Sequence, residues 1–417
     1  MTTATARKER LALRLYNGAQ GMLTALGRKR PRFRDLEEPL HAAACKAVGF
    51  DDFGDPTYRR ALRVLLRSYD DEARLTPFGR MMVEQMLGGI LRNRLLCQKA
   101  WTENASILKN EIHRPIFILG LPRTGTTALH HLLGQDPTLQ VLEYWLAAAP
   151  KPRPPRETWE KHPDFKRAVR DLKTTYWLDP SLKAIHLMTA EGPEECRHLL
   201  SQSFTDDTFD CNATIPSYSS WYEACDMRPT YAQHKRLLQL IGSNTPEKRW
   251  LLKYPVHMRN LRTVLATYPD ACFVYCHRDP AKVLPSLCSL VTGWRAIVEG
   301  AVDRPTLARW QMNVWAAGME HALDARRALN DESRFFDLAF SETVTDPIGA
   351  VKRIYARFDV PLTPEAERRL DAWRRENPRG KHGEHHYTLE EFGLTRAMVY
   401  DRYARYLEHF NVPREIS

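Results

Sequence analysis

The chain has no run of about 18 apolar residues, the length a helix needs to cross a bilayer. Its first thirty residues also lack the apolar core of a secretory signal. Both absences predict a soluble, cytoplasmic protein. The eight cysteines, at positions 45, 97, 196, 211, 225, 272, 276 and 288, form no CxxC pair and no spaced framework, which predicts reduced, mostly buried thiols. No internal repeat is evident. Charge is not one-sided either: 61 Lys+Arg against 51 Asp+Glu leave a formal +10. That modest excess suits an anionic ligand or surface and does not imply nucleic acid, so none is expected as a partner.

What is present is length and alternation. The 417 residues can bury a large core, as two or three units or as one enzyme-sized domain with appended helices. Residues 1–112 read as a helical region, with apolar positions at three- and four-residue spacing in "YRRALRVLLRSY" and "GRMMVEQMLGGILRNRLL" and a turn at "FGDP", 53–56. The basic cluster "GRKRPRFR", 27–34, reads as a solvated face or as a peripheral membrane contact. From 113 to 417 short apolar runs alternate with helices. "PIFIL", 115–119, "LQVLE", 139–143, "RWLLKY", 249–254, "CFVYC", 272–276, and "RFFDL", 334–338, predict a parallel sheet of about five strands between helical layers, a three-layer α/β fold of the P-loop kind. The proline-rich "PKPRPPR", 150–156, opens an excursion, and 157–248 reads as a mostly helical insertion shaping a substrate cleft.

"FILGLPRTGTTALHHLL", 117–133, runs from strand through a Gly/Pro turn into helix. Its spacing Gly120-Leu-Pro-Arg-Thr-Gly125-Thr126-Thr127 follows the GxxxxG outline of a phosphate-binding loop, with glycines permitting close backbone approach and helix amides facing an anion. Arg123, Thr124, Gly125, Thr126 and Thr127 are placed to hold that anion. Thr126, however, stands where a nucleotide-hydrolysing loop carries lysine for the β- and γ-phosphates, so γ-phosphoryl transfer is poorly served. A second strand-to-helix corner, "FVYCHRDPAKVLPSLCSL", 273–290, offers Arg278 at the strand end, Asp279 as N-cap, Pro280 at the first helical position, and Ser286 eight residues beyond Arg278.

Together the two loops resemble the sulfotransferases that use 3′-phosphoadenosine-5′-phosphosulfate. In that family a loop with a core like "PRTGTT" takes the 5′-phosphosulfate, and an Arg followed eight residues later by Ser takes the 3′-phosphate. The resemblance runs from about 115 to 410 and is closest to a bacterial branch related to the protein-tyrosine sulfotransferases, through "WLLKYPVHMRNL", 250–261, and "EFGL", 391–394. It implies a donor nucleotide, adenosine 3′,5′-bisphosphate as product, and no required metal. Arg379 and Lys381 in the lid-like segment 378–394 resemble the family's basic C-terminal loop on the 3′-phosphate, with different spacing. His382, Glu384, His385 and His386 beside them fit neither HExxH nor a zinc pattern.

Sulfuryl transfer needs a base for the acceptor's proton and cationic or N–H groups for the developing charge. Lys253 ends the "RWLLK" strand, at the sheet edge where ligands bind, and matches the family lysine that contacts the transferring group. Two bases compete. Glu143 occupies nearly the place of the glutamate in the tyrosine-sulfating relatives. His257 is similar to the histidine of cytosolic relatives, which lies two residues after the lysine, a position held here by Pro255. Intrinsic basicity favours His257, but burial can raise a carboxylate's pKa by several units, and position combined with such tuning favours Glu143. The acceptor is a small molecule, lipid or carbohydrate bearing a hydroxyl. The competing functions are a P-loop kinase or hydrolase, which the missing lysine opposes, and a non-catalytic nucleotide-binding protein of the same fold, which the presence of Lys253 opposes.

Overall fold

The computed structural model describes residues 15–20, 22, 30–178, 188–378 and 387–415. The five apolar runs form β1 (Ile116–Gly120), β2 (Leu139–Val141), β3 (Arg249–Lys253), β4 (Cys272–His277) and β5 (Phe335–Ala339). They make one sheet in the order β2-β3-β1-β4-β5, with every pairing parallel. Alternation along each strand divides the core. Ile116 and Ile118 of β1 and Cys272, Val274 and Cys276 of β4 pack on one face with Leu129, Leu133 and Ile354. Phe117, Leu119, Phe273 and Tyr275 point to the other face, into a core that runs from Phe33 to Val412. Both faces are therefore dry, as continuous rather than alternating apolar strands require.

β2 is shorter than its apolar pattern because the chain changes partner. Beyond Val141 it leaves β3: Glu143 bridges Pro193 in antiparallel fashion, Leu142 O accepts from Glu194 N at 2.7 Å, and Tyr144 N donates to Gly192 O at 3.0 Å. This clip returns residues 190–196 to the sheet, where Cys196 N donates to Lys253 O at 3.2 Å.

The N-terminal region forms helices Glu37–Val48, Tyr58–Asp71 and Pro77–Glu103, with 49–57 as the turn between the first two. Thr76 caps the third helix by accepting from Gly79 N, and its own N–H donates to Val298 O at 2.9 Å. That bond ties the region to the helix Pro280–Glu299 after β4. Of the basic cluster, Arg32 and Arg34 pair with Asp70 and Asp71, which consumes part of its charge locally. No helix among the described residues is long and apolar enough to cross a membrane.

Candidate functional site

The order β3-β1-β4 sets three strand ends side by side, in register: Ile118 pairs with Lys253, and Gly120 with Cys276. The phosphate-type loop emerges between them. Gly120 has φ +140°, and a Cβ there would lie 2.5 Å from Cys276 O. Gly125 caps the helix Thr126–Leu133 at φ +85°, in the left-handed region that favours glycine. Thr124 is fully buried and donates to Leu121 O at 2.8 Å, closing the turn. Thr126 begins the helix, and its amide and those beside it have no preceding turn to bond.

The second anion motif folds against the first. Asp279 caps the helix Pro280–Glu299 by accepting from Ala281 N at 2.8 Å, with Pro280 in the first turn, as the sequence predicts. Ser286 on this helix accepts from Arg123 Nε at 3.0 Å, and Arg278 Nη1 donates to Arg123 O at 3.2 Å. Arg123, Ser286 and Arg278 are thus one cluster. Burial and the neighbouring Arg278 hold the Arg123 guanidinium below its ordinary pKa, the expected result of two close cations on a half-dry surface. Arg278 also lies 3.8 Å above the Phe340 ring, which abuts Gly125 as well, and its guanidinium is paired with Glu415 at 2.9 and 3.3 Å. Phe340 and Glu415 carry no sequence signal of their own; each enters through tertiary contact.

Lys253 is buried at the end of β3, and its ammonium donates to Thr127 Oγ1 at 3.0 Å and to Glu195. A lysine does reach the loop's hydroxyls, but from the neighbouring strand. Glu195 is the residue sequence reading misses: "EGPEEC" has no motif, and only the clip between 142–145 and 190–194 brings it to Lys253.

The two sequence-derived bases lie elsewhere. Glu143 is buried against Arg153, whose Nε and Nη2 donate to its carboxylate at 3.2 and 3.1 Å. Burial raises its pKa, with Arg153 opposing the shift. His257 is fully buried beside Phe117, Tyr231 and Tyr254, and burial lowers its pKa well below the ordinary value. Neither borders the cleft. Lys381, with the other charged residues of 379–386, lies outside the described residues.

That cleft is a cavity of about 330 Å³. Glu195, Arg197, His198 and Asp207 are among its polar groups, with Ser201, Thr208, Asn212 and Tyr254, and the remaining wall is largely apolar. Part of that wall comes from residues 195–212, within the segment 157–248. Much of it, including Met82, Met86 and Ile90, comes from the N-terminal helix Pro77–Glu103, and Leu287, Leu290 and Trp294 come from the helix bearing Ser286. One helix therefore presents Ser286 to the loop cluster and its apolar residues to the cavity.

A family model described as sulfotransferase family matches residues 115–364. Two solved structures superpose over nearly the whole chain. Sulfotransferase STF1 of Mycobacterium tuberculosis is 40% identical with a TM-score of 0.79, covering 88% of this chain and 98% of that one. Sulfotransferase STF9 of Mycobacterium avium is 29% identical with a TM-score of 0.83, covering 91% and 98%. An omega-hydroxy-beta-dihydromenaquinone-9 sulfotransferase of Mycobacterium bovis is 27% identical over 247 residues, 58% of this chain. The chain spans 61%, about three fifths, of the length of that curated relative.

Proposed function

The chain belongs to the sulfotransferase family, and from that premise we propose that it transfers a sulfuryl group from 3′-phosphoadenosine-5′-phosphosulfate to a hydroxyl on an apolar, lipid-like acceptor. The observation that carries this reading is the position of Glu195. It pairs with Lys253 beside the anion loop and also lines the apolar cavity, so one residue joins the two halves of a transfer site.

The donor supplies the activated sulfuryl group when bound. Loop amides with Arg123, Thr124, Gly125, Thr126 and Thr127 hold its phosphosulfate, and Arg278 with Ser286 holds its 3′-phosphate. Lys253 neutralises charge at the transferring end. An anion at the loop competes with Glu195 for that ammonium, which makes the carboxylate more basic and readies it to take the acceptor's proton. Glu195 is the base in this reading. Glu143 keeps a positioning role through Arg153, which also binds Val141 O and Gln140 of the β2 strand. Eight unpaired cysteines support a reducing, cytoplasmic location.

Adenosine 3′,5′-bisphosphate should raise the melting temperature where ATP–magnesium does not; the reverse would sink the donor assignment. Glu195→Gln should lower kcat by about 100- to 10,000-fold at unchanged bisphosphate affinity. Glu143→Gln should lower stability and leave kcat within about threefold in this scheme, since its carboxylate is buried against Arg153 and does not line the cavity. The opposite pattern in the pair of variants would return the base to Glu143.

An apolar acceptor follows from the cavity wall and agrees with the lipid hydroxyl for which the Mycobacterium bovis relative is named. With straight-chain primary alcohols, kcat/KM should rise about fourfold per added methylene until the cavity is filled, the increment for burying one CH2. A flat series, or preference for sugars, would exclude a lipid-like acceptor.

A further inference from the structure

Outside the lining of the cavity, three side chains from distant parts of the sequence converge. Cys196 follows Glu195, His234 lies on the helix Arg228–Ile241, and His257 lies on the short helix Val256–Arg259. Each is fully buried, and one ligand atom from each lies within 4.8 Å of the other two. We infer that Cys196, His234 and His257 form a binding site for a single soft, monovalent metal ion of the copper(I) type.

Hydrogen bonding gives the strongest support. His257 Nδ1 meets Tyr231 Oη at 2.9 Å, and His234 Nδ1 meets Tyr268 Oη at 2.7 Å. The opposite nitrogen of each ring, Nε2, is buried with no partner among the described residues. A thiol proton from Cys196 can satisfy one of these nitrogens and leaves the other orphaned, an expensive arrangement in a dry interior. A metal ion satisfies both at once. The tyrosines then do what outer partners of metal-bound imidazoles do, fixing ring orientation and keeping the proton on Nδ1.

Charge selects the ion. One thiolate and two neutral imidazoles compensate a single positive charge, whereas a divalent ion would leave a net charge among the rings of Phe117, Tyr231 and Tyr268, where desolvation is costly. Thiolate with imidazole is also a donor set suited to copper(I). Burial holds both imidazoles in the neutral, ligating form, lowering His234 to about 3 and His257 well below its ordinary value. Burial raises the Cys196 thiol, so loading must expel its proton. Ligands at about 2.0–2.3 Å from one ion stand roughly 3.5–4 Å apart, so a contraction of about 1 Å closes the set. The ion would join the residue next to Glu195 to the turn after Lys253, bracing both groups.

The test uses the full-length protein, purified anaerobically and incubated with copper(I) and, separately, zinc(II), each buffered by a competing chelator. After desalting, the metal content is measured. The expected result is one copper per wild-type chain, less than a tenth of that in Cys196→Ser and in His234→Gln, and affinity weakened about 10- to 100-fold in Tyr268→Phe. X-ray absorption of the loaded wild type should fit one sulfur and two nitrogen neighbours, a readout independent of how the variants fold. Absence of stoichiometric metal, equal retention by folded variants, or a different ligand shell would overturn the site. Zinc retained in preference to copper would overturn the choice of ion.

Discussion

Replacing Lys253 with methionine is expected to lower kcat about 100- to 1,000-fold, the usual cost of removing one preorganised group that meets charge developing in a transition state. Methionine keeps the length and apolar stem of a side chain that is 2% exposed, so packing at the end of β3 is conserved. The ammonium's partners, Thr127 and Glu195, place it at the transferring end of the proposed donor rather than at its adenosine. Adenosine 3′,5′-bisphosphate lacks the sulfuryl group, so its affinity should change by no more than about threefold. Single-turnover kinetics together with bisphosphate titration separate the two quantities. A parallel loss in both would make Lys253 a ground-state binding residue, and near-normal kcat would remove it from the reaction.

Arg278→Ala should weaken adenosine 3′,5′-bisphosphate about 10- to 100-fold, the loss expected when a charge-assisted phosphate contact disappears. Adenosine 5′-phosphate should be affected by less than about threefold. Calorimetric titration of both ligands checks this, and equal losses would exclude Arg278 from the 3′-phosphate. Arg123 sits in the same cluster but serves the other end, so Arg123→Ala should weaken both nucleotides together. Arg278 is the more selective probe because its hydrogen bond to the loop goes to a backbone oxygen, Arg123 O, which alanine removes without touching the loop's own turn.

The sheet and both anion loops were legible because their signals are local. Continuous apolar runs such as Phe117–Leu119 and Phe273–Tyr275 are what doubly covered strands require, and Gly120 and Gly125 sit where backbone geometry demands glycine. Spacing alone brought Ser286 back toward Arg278, on a helix starting at Pro280; its hydrogen bond to Arg123 is a tertiary contact that the spacing did not announce. The surroundings of the candidate bases did not follow in the same way. Val256, His257 and Met258 are consecutive buried residues on a four-residue helix, which is too short for any amphipathic period to mark an inward histidine. Glu143 has the right place in the sequence but is turned to Arg153, a residue whose surrounding prolines signalled only a break in secondary structure. Glu195 depends on a pairing between segments fifty residues apart, and the cavity wall on a helix from the other end of the chain. Such contacts are products of packing and leave no periodic trace.

Under the proposed assignment of Arg278 to the donor's 3′-phosphate, the ion pair between Arg278 and Glu415 would make the carboxylate a tethered rival of that phosphate. Both side chains are partly exposed, so the pair is worth at most about 1 kcal/mol, or about a fivefold change in affinity. That cost falls only on nucleotides that carry a 3′-phosphate, because others leave the pair intact. Glu415 would therefore narrow the margin by which the complete donor outcompetes its 3′-dephosphorylated analogues, and would refill the arginine as the bisphosphate departs. In that assignment, retention of spent nucleotide and selectivity for the donor would shift together with this one contact.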